Sequence, residues 1–330
     1  MAEEVRILGV KVDSLAVDEL DAALERLVRC EQHSLILHVN VHCLNLSQHN
    51  AWLPNVLNSA SIVFCDGAGV MLGARILGKR IEQRIPITEW IWKLASLAEL
   101  QGFTLFVLGG RPSIGEEAAA RLKQQYPRLR RVGTHHGYFD KTPGSLENEK
   151  VITMINASKP DILIVGFGMP LQERWLMENW ERLDVKVALT GGAIIDRVAG
   201  RVRRGPRWMI DNGLEWLSRL AIEPRRLWKR YLIGNPVFLL RVLRERFTLR
   251  QPQRNLPNYA LRAKLRKGVE RARILVHERR FQRIANANGA TGSRVLRATT
   301  PPPTTSRASS GPPATRLSAN GSNFHSSGSS

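Results

Sequence analysis

Four times within the first 200 residues an apolar run suited to a buried strand stops at glycine: SIVFCDGAG (61–69), FTLFVLGG (103–110), PDILIVGFG (160–168) and VKVALTGG (185–192). Helical periodicity follows three of them, in VMLGARILG, PSIGEEAAARLKQQY and LQERWLMENWERL. A strand buried on both faces reads as a continuous apolar run, and parallel pairing needs a long crossover between strands, usually a helix. The pattern therefore predicts an α/β fold, a mostly parallel sheet with helices on both faces. VRILGV and KVDSL add a short β opening, and VDELDAALERLVRC a helix. SLILHVNV is a further strand with a helix start at CLNLSQHN, and RRVGTHHGYF a strand and loop.

In such sheets ligands bind beyond the carboxyl ends of the strands. The four junctions should converge there, and Asp66 of CDGAG stands at the mouth. Two roles suit it. It can cap the next helix, a common task for aspartate, or it can face a ligand in the crevice. The residues alone leave both open. Glycine-rich backbone at a helix start can also hold a diphosphate without metal.

Charge divides the chain. Of the net +20, residues 201–283 hold 23 Lys and Arg against 6 Asp and Glu, whereas the first 200 residues are close to neutral. The basic stretch RVRRGPRWMIDNGLEWLSRLAIEPRRLWKRY reads as helical and interleaves Trp208, Leu214, Leu217, Leu220, Leu227 and Tyr231 with its cations. That mixture suits an interfacial helix on an anionic membrane more than a nucleic-acid module. Beyond residue 285 the Ala, Thr, Ser, Pro and Gly content cannot bury enough apolar surface to fold. Three segments are expected: a sheet domain over 1–200, a basic helical appendage over 201–284, and a disordered tail over 285–330. Truncation after about residue 200 is expected to leave the sheet domain folded.

Several chemistries lack their signature. No junction fits GxGxxG, no GxxxxGK[ST] phosphate loop occurs, and His135-His136 is not an HExxH pair. No Asp-x-Asp is present to hold a divalent metal on a sugar nucleotide. Cys30, Cys43 and Cys65 have no zinc spacing and read as reduced core thiols of a cytosolic protein. MAEEVRILGV is no signal peptide, and no apolar run approaches the roughly 20 residues that span a bilayer.

The ordered series ILGVKVDSL, VNVHCLNL, CDGAGV, QRIPITEW, LFVLGGRPSIGEEAAARL, GTHHGYF, PDILIVGFGMPLQERWL, LTGGAIIDRVAGRVRRGPRWM and GLEWLSRLAIEPRRLWKRY resembles the WecG/TagA/CpsF glycosyltransferases (glycosyltransferase family 26) from about residue 5 to about 235. GFGMPLQE and GLEWLSRL…EP are its most specific parts. The resemblance implies a Rossmann-like, metal-independent enzyme without cofactor at the cytoplasmic membrane face. It would transfer sugar with inversion from a UDP-sugar to a polyprenyl-diphosphate-linked saccharide, for cell-surface polysaccharide. It further implies Asp66 as base and Arg84 as its catalytic partner. Asn40, His38, Gly109, Gly168, Gln172, Glu173 and Gly191 fall on the donor side, and Arg219, Arg226, Lys229 and Arg230 meet the acceptor diphosphate and the membrane. By this reading the catalytic role for Asp66 gains over capping. Gln172 taken alone could equally be a helix-start residue facing water. His38 in place of a usual threonine, and Ile87 with Glu89 in place of Gly-x-Asp, are expected near the sugar pocket, which leaves N-acetylmannosamine and glucose both open as donor sugar. Homo-oligomerisation stays open. The competing readings are a basic nucleic-acid-binding protein with a Rossmann-like domain, which the interleaved Trp and Leu disfavour, and a Rossmann oxidoreductase, which lacks its fingerprint.

Overall fold

The computed structural model describes residues 3–31, 33–130, 132–202 and 205–250. Six strands form the main sheet: β3 (Ser34–Val39), β4 (Ile62–Cys65), β5 (Leu105–Gly109), β6 (Val132–His135), β7 (Ile162–Gly166) and β8 (Val187–Thr190). Their spatial order is β4-β3-β8-β7-β5-β6, and every neighbouring pair is parallel. The opening β1 (Glu3–Ile7) and β2 (Val10–Ser14) form a separate antiparallel hairpin. The expected α/β sheet, with helices on both sides, is what the chain adopts.

Alternation along each strand sends neighbouring side chains to opposite faces. Leu35, Leu37, Val39, Val63, Cys65, Leu163 and Val165 face one core. The hairpin covers it, together with α2 (Val41–Ser47), α3 (Trp52–Ser59), α4 (Ala68–Ile76), α7 (Leu146–Ser158) and α8 (Leu171–Asn179). Ile36, Ile62, Phe64, Ile162 and Ile164 face the other, under α1 (Val17–Arg29), α5 (Ile87–Gln101), α6 (Ile114–Gln125) and α9 (Ile194–Val198). Trp90 and Trp175 are almost wholly buried, one in each core. Each such burial contributes about 2–3 kcal/mol.

After residue 200 the chain forms short helices, α10 (Arg207–Asp211), α11 (Glu215–Ile222) and α12 (Pro224–Trp228). A π-helical turn over Lys229–Ile233 leads into α13 (Gly234–Arg250). These belong to the same compact unit as the sheet. Phe238 and Val242 of α13 enter the core beneath α4. The contact demands glycine at 73, where a Cβ would lie 2.7 Å from Phe238 Cζ. The segment 251–284 of the expected appendage and the tail 285–330 lie outside the described residues.

The expected interfacial face is corrected here. Trp208 and Leu217 are exposed, but Leu227 and Tyr231 are buried against the protein. The set assumed one continuous helix; breaks at Gly213 and Pro224 and the π-helical turn rotate later residues inward. The cysteines also divide: Cys43 and Cys65 are buried, whereas Cys30, at the end of α1, is exposed.

Candidate active site

The carboxyl ends of β3 and β4 open into a cleft of about 360 Å³ whose far wall is built from α11, the π-helical turn and α13. Asn40 and Asp66 follow directly on the paired residues Val39 and Cys65, which sets them side by side on the sheet's edge. Asn40 caps α2, its Oδ1 accepting from Cys43 N–H at 3.1 Å.

Asp66 does not cap the helix that follows it. That helix, α4, starts after Gly67 with no side-chain cap. Instead Asp66 Oδ1 accepts from Ile87 N–H at 3.0 Å, at the first residue of α5, reaching 21 positions along the chain. This fixes the carboxylate while Oδ2 has no hydrogen-bond partner among the described residues.

Arg84, Arg219 and Arg230 line the same cleft. Arg84 donates from Nη2 to Ile210 carbonyl oxygen at 3.0 Å, tying the loop before α5 to α10. Burial disfavours the charge of Arg219, yet Tyr231, Glu215 and Asp66 outweigh it and hold this guanidinium above its ordinary value. Burial lowers Arg230, with Arg219 and Arg226 adding like-charge repulsion and Tyr231 and Asp66 opposing. His42 lines the same cleft, and burial with Arg230 nearby brings its pKa down to about 4, so it is a neutral imidazole. Leu72, Trp216, Phe238 and Leu239 supply apolar wall.

The anticipated site residues thus separate into groups. Asp66, Arg84, Asn40, Arg219 and Arg230 share the cleft. Arg226 and Lys229 are exposed and do not line it, Arg226 pairing with Glu223 at 2.8 Å. His38 does not line the cleft: it is buried, its Nδ1 3.0 Å from both the carbonyl oxygen and Oγ1 of Thr190. Ile87 is buried in the second core and Glu89 is exposed, so neither lines the cleft. The departures from the usual motif therefore do not bear on this cavity directly.

Gly109, Gly168, Gln172, Glu173 and Gly191 gather farther along the same edge, at the ends of β5, β7 and β8. A Cβ on Gly109 (φ +147°) would lie 2.5 Å from the carbonyl oxygen of Gly166, so the two strands can close only on glycine. Gln172 is at a helix start but faces the interior, with no exposed surface. Its Oε1 accepts from Gly168 N–H (3.2 Å) and Gly192 N–H (2.9 Å), stitching the β7 and β8 loops together, and its Nε2 donates to Glu173 Oε1 at 2.8 Å. Burial pushes Glu173 up to about 7, and its Oε2 has no hydrogen-bond partner among the described residues.

Glu215, Trp216 and His42 escaped the sequence reading, and Tyr231 entered it only as part of the interfacial face, although each lies in or beside a motif quoted for the resemblance. No local signal marks them; the folding of α11 and the π-helical turn over the sheet brings them in. Among the described residues no group of three or more His, Cys, Asp or Glu side chains could hold a metal ion. Among them too, no helix is long and apolar enough to cross a membrane.

An open parallel sheet with a fixed carboxylate at its carboxyl edge, faced by partly buried arginines and an apolar wall, defines an α/β protein of the kind that receives anionic, partly apolar ligands. Comparison of the sequence narrows the class. The model of the glycosyl transferase WecG/TagA/CpsF family matches residues 5–252, and the chain belongs to that family. It is similar to the N-acetylglucosaminyldiphosphoundecaprenol N-acetyl-beta-D-mannosaminyltransferase of Staphylococcus aureus strain MRSA252, with 30% identity over 252 residues, 73% of this chain and 96% of the relative. The protein of the same name from strain NCTC 8325 is 29% identical over the same shares.

Proposed function

We propose that this glycosyltransferase moves a hexose or N-acetylhexosamine, with inversion and without metal, from a UDP-sugar to a polyprenyl-diphosphate-linked saccharide at the cytoplasmic membrane face. The observation that carries the reading is the placement of Asp66 in one cleft with Arg84, Arg219 and Arg230. The acceptor hydroxyl oxygen bonds to the anomeric carbon as Asp66 Oδ2 takes its proton. The bond from that carbon to the UDP oxygen breaks, its electron pair leaves with UDP, and the arginines offset the growing charge. Gln172 and the glycine loops it joins would form the donor side, the arginine wall the acceptor side.

The acceptor class is supported by the relatives' name, which specifies N-acetylglucosamine on diphosphoundecaprenol. Membrane docking is supported by exposed apolar side chains. Among the described residues nine of the sixteen exposed large ones, including Trp208, Trp228, Ile233 and Phe247, fall between 208 and 247. Exposed Arg225, Arg226, Lys229 and Arg244 are interspersed with them. Each basic group near an anionic surface contributes about 1 kcal/mol.

The test is to incubate the full chain with UDP-N-acetylmannosamine, UDP-N-acetylglucosamine or UDP-glucose and a short-chain prenyl-diphosphate N-acetylglucosamine. Product should form from one donor, with NMR giving an inverted anomeric configuration. Retention, or no transfer from any UDP-sugar, rejects the reading.

A further inference from the structure

We propose that Glu215 is a positioning residue: a resident counter-ion that keeps the cleft arginines gathered and aimed, and that an incoming diphosphate must compete with. The inference rests on the proposed function in taking a diphosphate as the cleft's ligand.

Three guanidinium groups from three separate segments converge on this carboxylate. Arg84 Nη1, from the loop before α5, lies 3.7 Å from Oε2. Arg197 Nη2, from α9, lies 3.6 Å from Oε1, and Arg219 Nε, one turn along α11, lies 3.4 Å from the same oxygen. The Glu215 side chain is only 16% exposed. Without it the clustered positive charges would repel one another across a partly buried space.

The distances argue that this is not a closed structural knot. Charge-assisted hydrogen bonds from guanidinium to carboxylate run near 2.7–2.9 Å and are often bidentate. All three approaches here are longer, at 3.4–3.7 Å. A donor also remains unspent: among the described residues, Arg230 Nε is buried without a hydrogen-bond partner. Buried donors of this kind are costly to leave unmade, and a diphosphate offers several acceptor oxygens to meet them. Glu215 lines the same cleft and supplies negative charge where that ligand would sit.

Two consequences of opposite sign follow from removing the charge. Diphosphate binds tighter, because a repelling carboxylate is gone. At about 7 Å and an effective dielectric of about 20, a unit charge alters affinity roughly 10- to 50-fold. Turnover falls, because the arginines lose the group that aims them. A merely structural Glu215 would give losses in both.

The experiment uses the full chain and its Glu215→Gln, Glu215→Asp and Arg197→Gln variants, titrated calorimetrically with inorganic pyrophosphate, UDP and farnesyl diphosphate, alongside steady-state transfer. For Glu215→Gln we expect at least one diphosphate to bind five-fold tighter or more while kcat drops about tenfold. Glu215→Asp should return affinity close to wild type. Arg197, which lies outside the cleft lining, partly neutralises Glu215, so Arg197→Gln should weaken diphosphate binding; this arm decides the matter if Glu215→Gln fails to fold. A gain confined to UDP places the donor diphosphate beside Glu215, and one confined to farnesyl diphosphate places the acceptor's. Unchanged or weaker binding to Glu215→Gln, or tighter binding to Arg197→Gln, overturns the proposal. If wild type binds none of the three, the diphosphate reading of the cleft fails first and this inference with it.

Discussion

Asp66→Asn separates a base from a cap, and the structure gives the size of each effect. The amide keeps a carbonyl oxygen for Ile87 N–H, so the bond that holds α5 changes only from a charged to a neutral acceptor, a loss of about 1 kcal/mol. Attraction to Arg219 and Arg230 is also lost, but Asp66 is partly exposed and solvent screens that term to a similar size or less. Stability should therefore fall by about 1–2 kcal/mol, or roughly 5 °C in Tm for a unit of this size. Loss of a general base costs about 10²–10⁴ in rate, equivalent to roughly 3–5 kcal/mol of barrier. UDP affinity should hold or rise slightly, since one negative charge leaves an anion site. The assay is single-turnover transfer with calorimetric UDP binding and a thermal melt on the same preparation. Turnover within threefold of wild type in a folded sample would refute the base, leaving Asp66 as the cap of α5. A parallel collapse of UDP binding would show that the carboxylate organises the site instead of reacting in it.

Glu173 is protonated in the folded protein up to about pH 7 but ionises near 4.5 when unfolded, so folded protein binds more protons between those values and stability falls as pH rises through them. Glu173→Gln should flatten that slope and gain up to about 3 kcal/mol at pH 8; an unchanged urea midpoint profile from pH 5 to 8 would contradict the buried neutral acid. Transfer should survive EDTA, and complete loss restored by Mg²⁺ or Mn²⁺ would mean that the diphosphate is held by metal. Truncation after residue 200, which the sequence suggested would leave a folded domain, should instead destabilise it, because Leu227, Tyr231, Phe238 and Val242 are all buried and each contributes about 1.5–3 kcal/mol. Phe238→Ala should reproduce part of that loss, about 3–5 kcal/mol by denaturation, and a wild-type melt for either variant would refute the packing account.

The sheet was legible because its signal is local. Strands buried on both faces write continuous apolar runs, and glycine must follow where adjacent loops touch, as Gly109 does against Gly166. Asp66 was legible for the same reason, since it directly follows its strand, whereas Asn40 came from the resemblance alone, the apolar run SLILHVNV passing through it. Strand order was not legible, since nothing in VKVALTGG says that β8 will insert between β3 and β7. The motifs singled out Gln172 and Glu173, but the burial of both was not foreseen. Gln172 looked like a solvated helix start because hydropathy assigns glutamine to water, whereas here the backbone of two loops satisfies its amide.

The basic segment shows why charge counts alone mislead. Over 201–283 the sequence reads as one cationic patch, and a single helical spacing grouped its Trp and Leu residues as one face. Broken into several helices over 205–250, the described part of the segment divides its cations by environment. Arg219 and Arg230 turn inward beside Asp66, where a carboxylate must accompany them because buried guanidinium groups repel at short range. Arg225, Arg226, Lys229 and Arg244 stay in solvent, where no such partner is required. Glu215 is therefore intelligible only from the fold: it is an acid in a basic stretch whose three cationic neighbours are contributed by three different segments. An inward arginine can act on a ligand through hydrogen-bond geometry and an outward one through long-range attraction, so raised salt should erode vesicle docking well before it erodes the arrangement within the cleft.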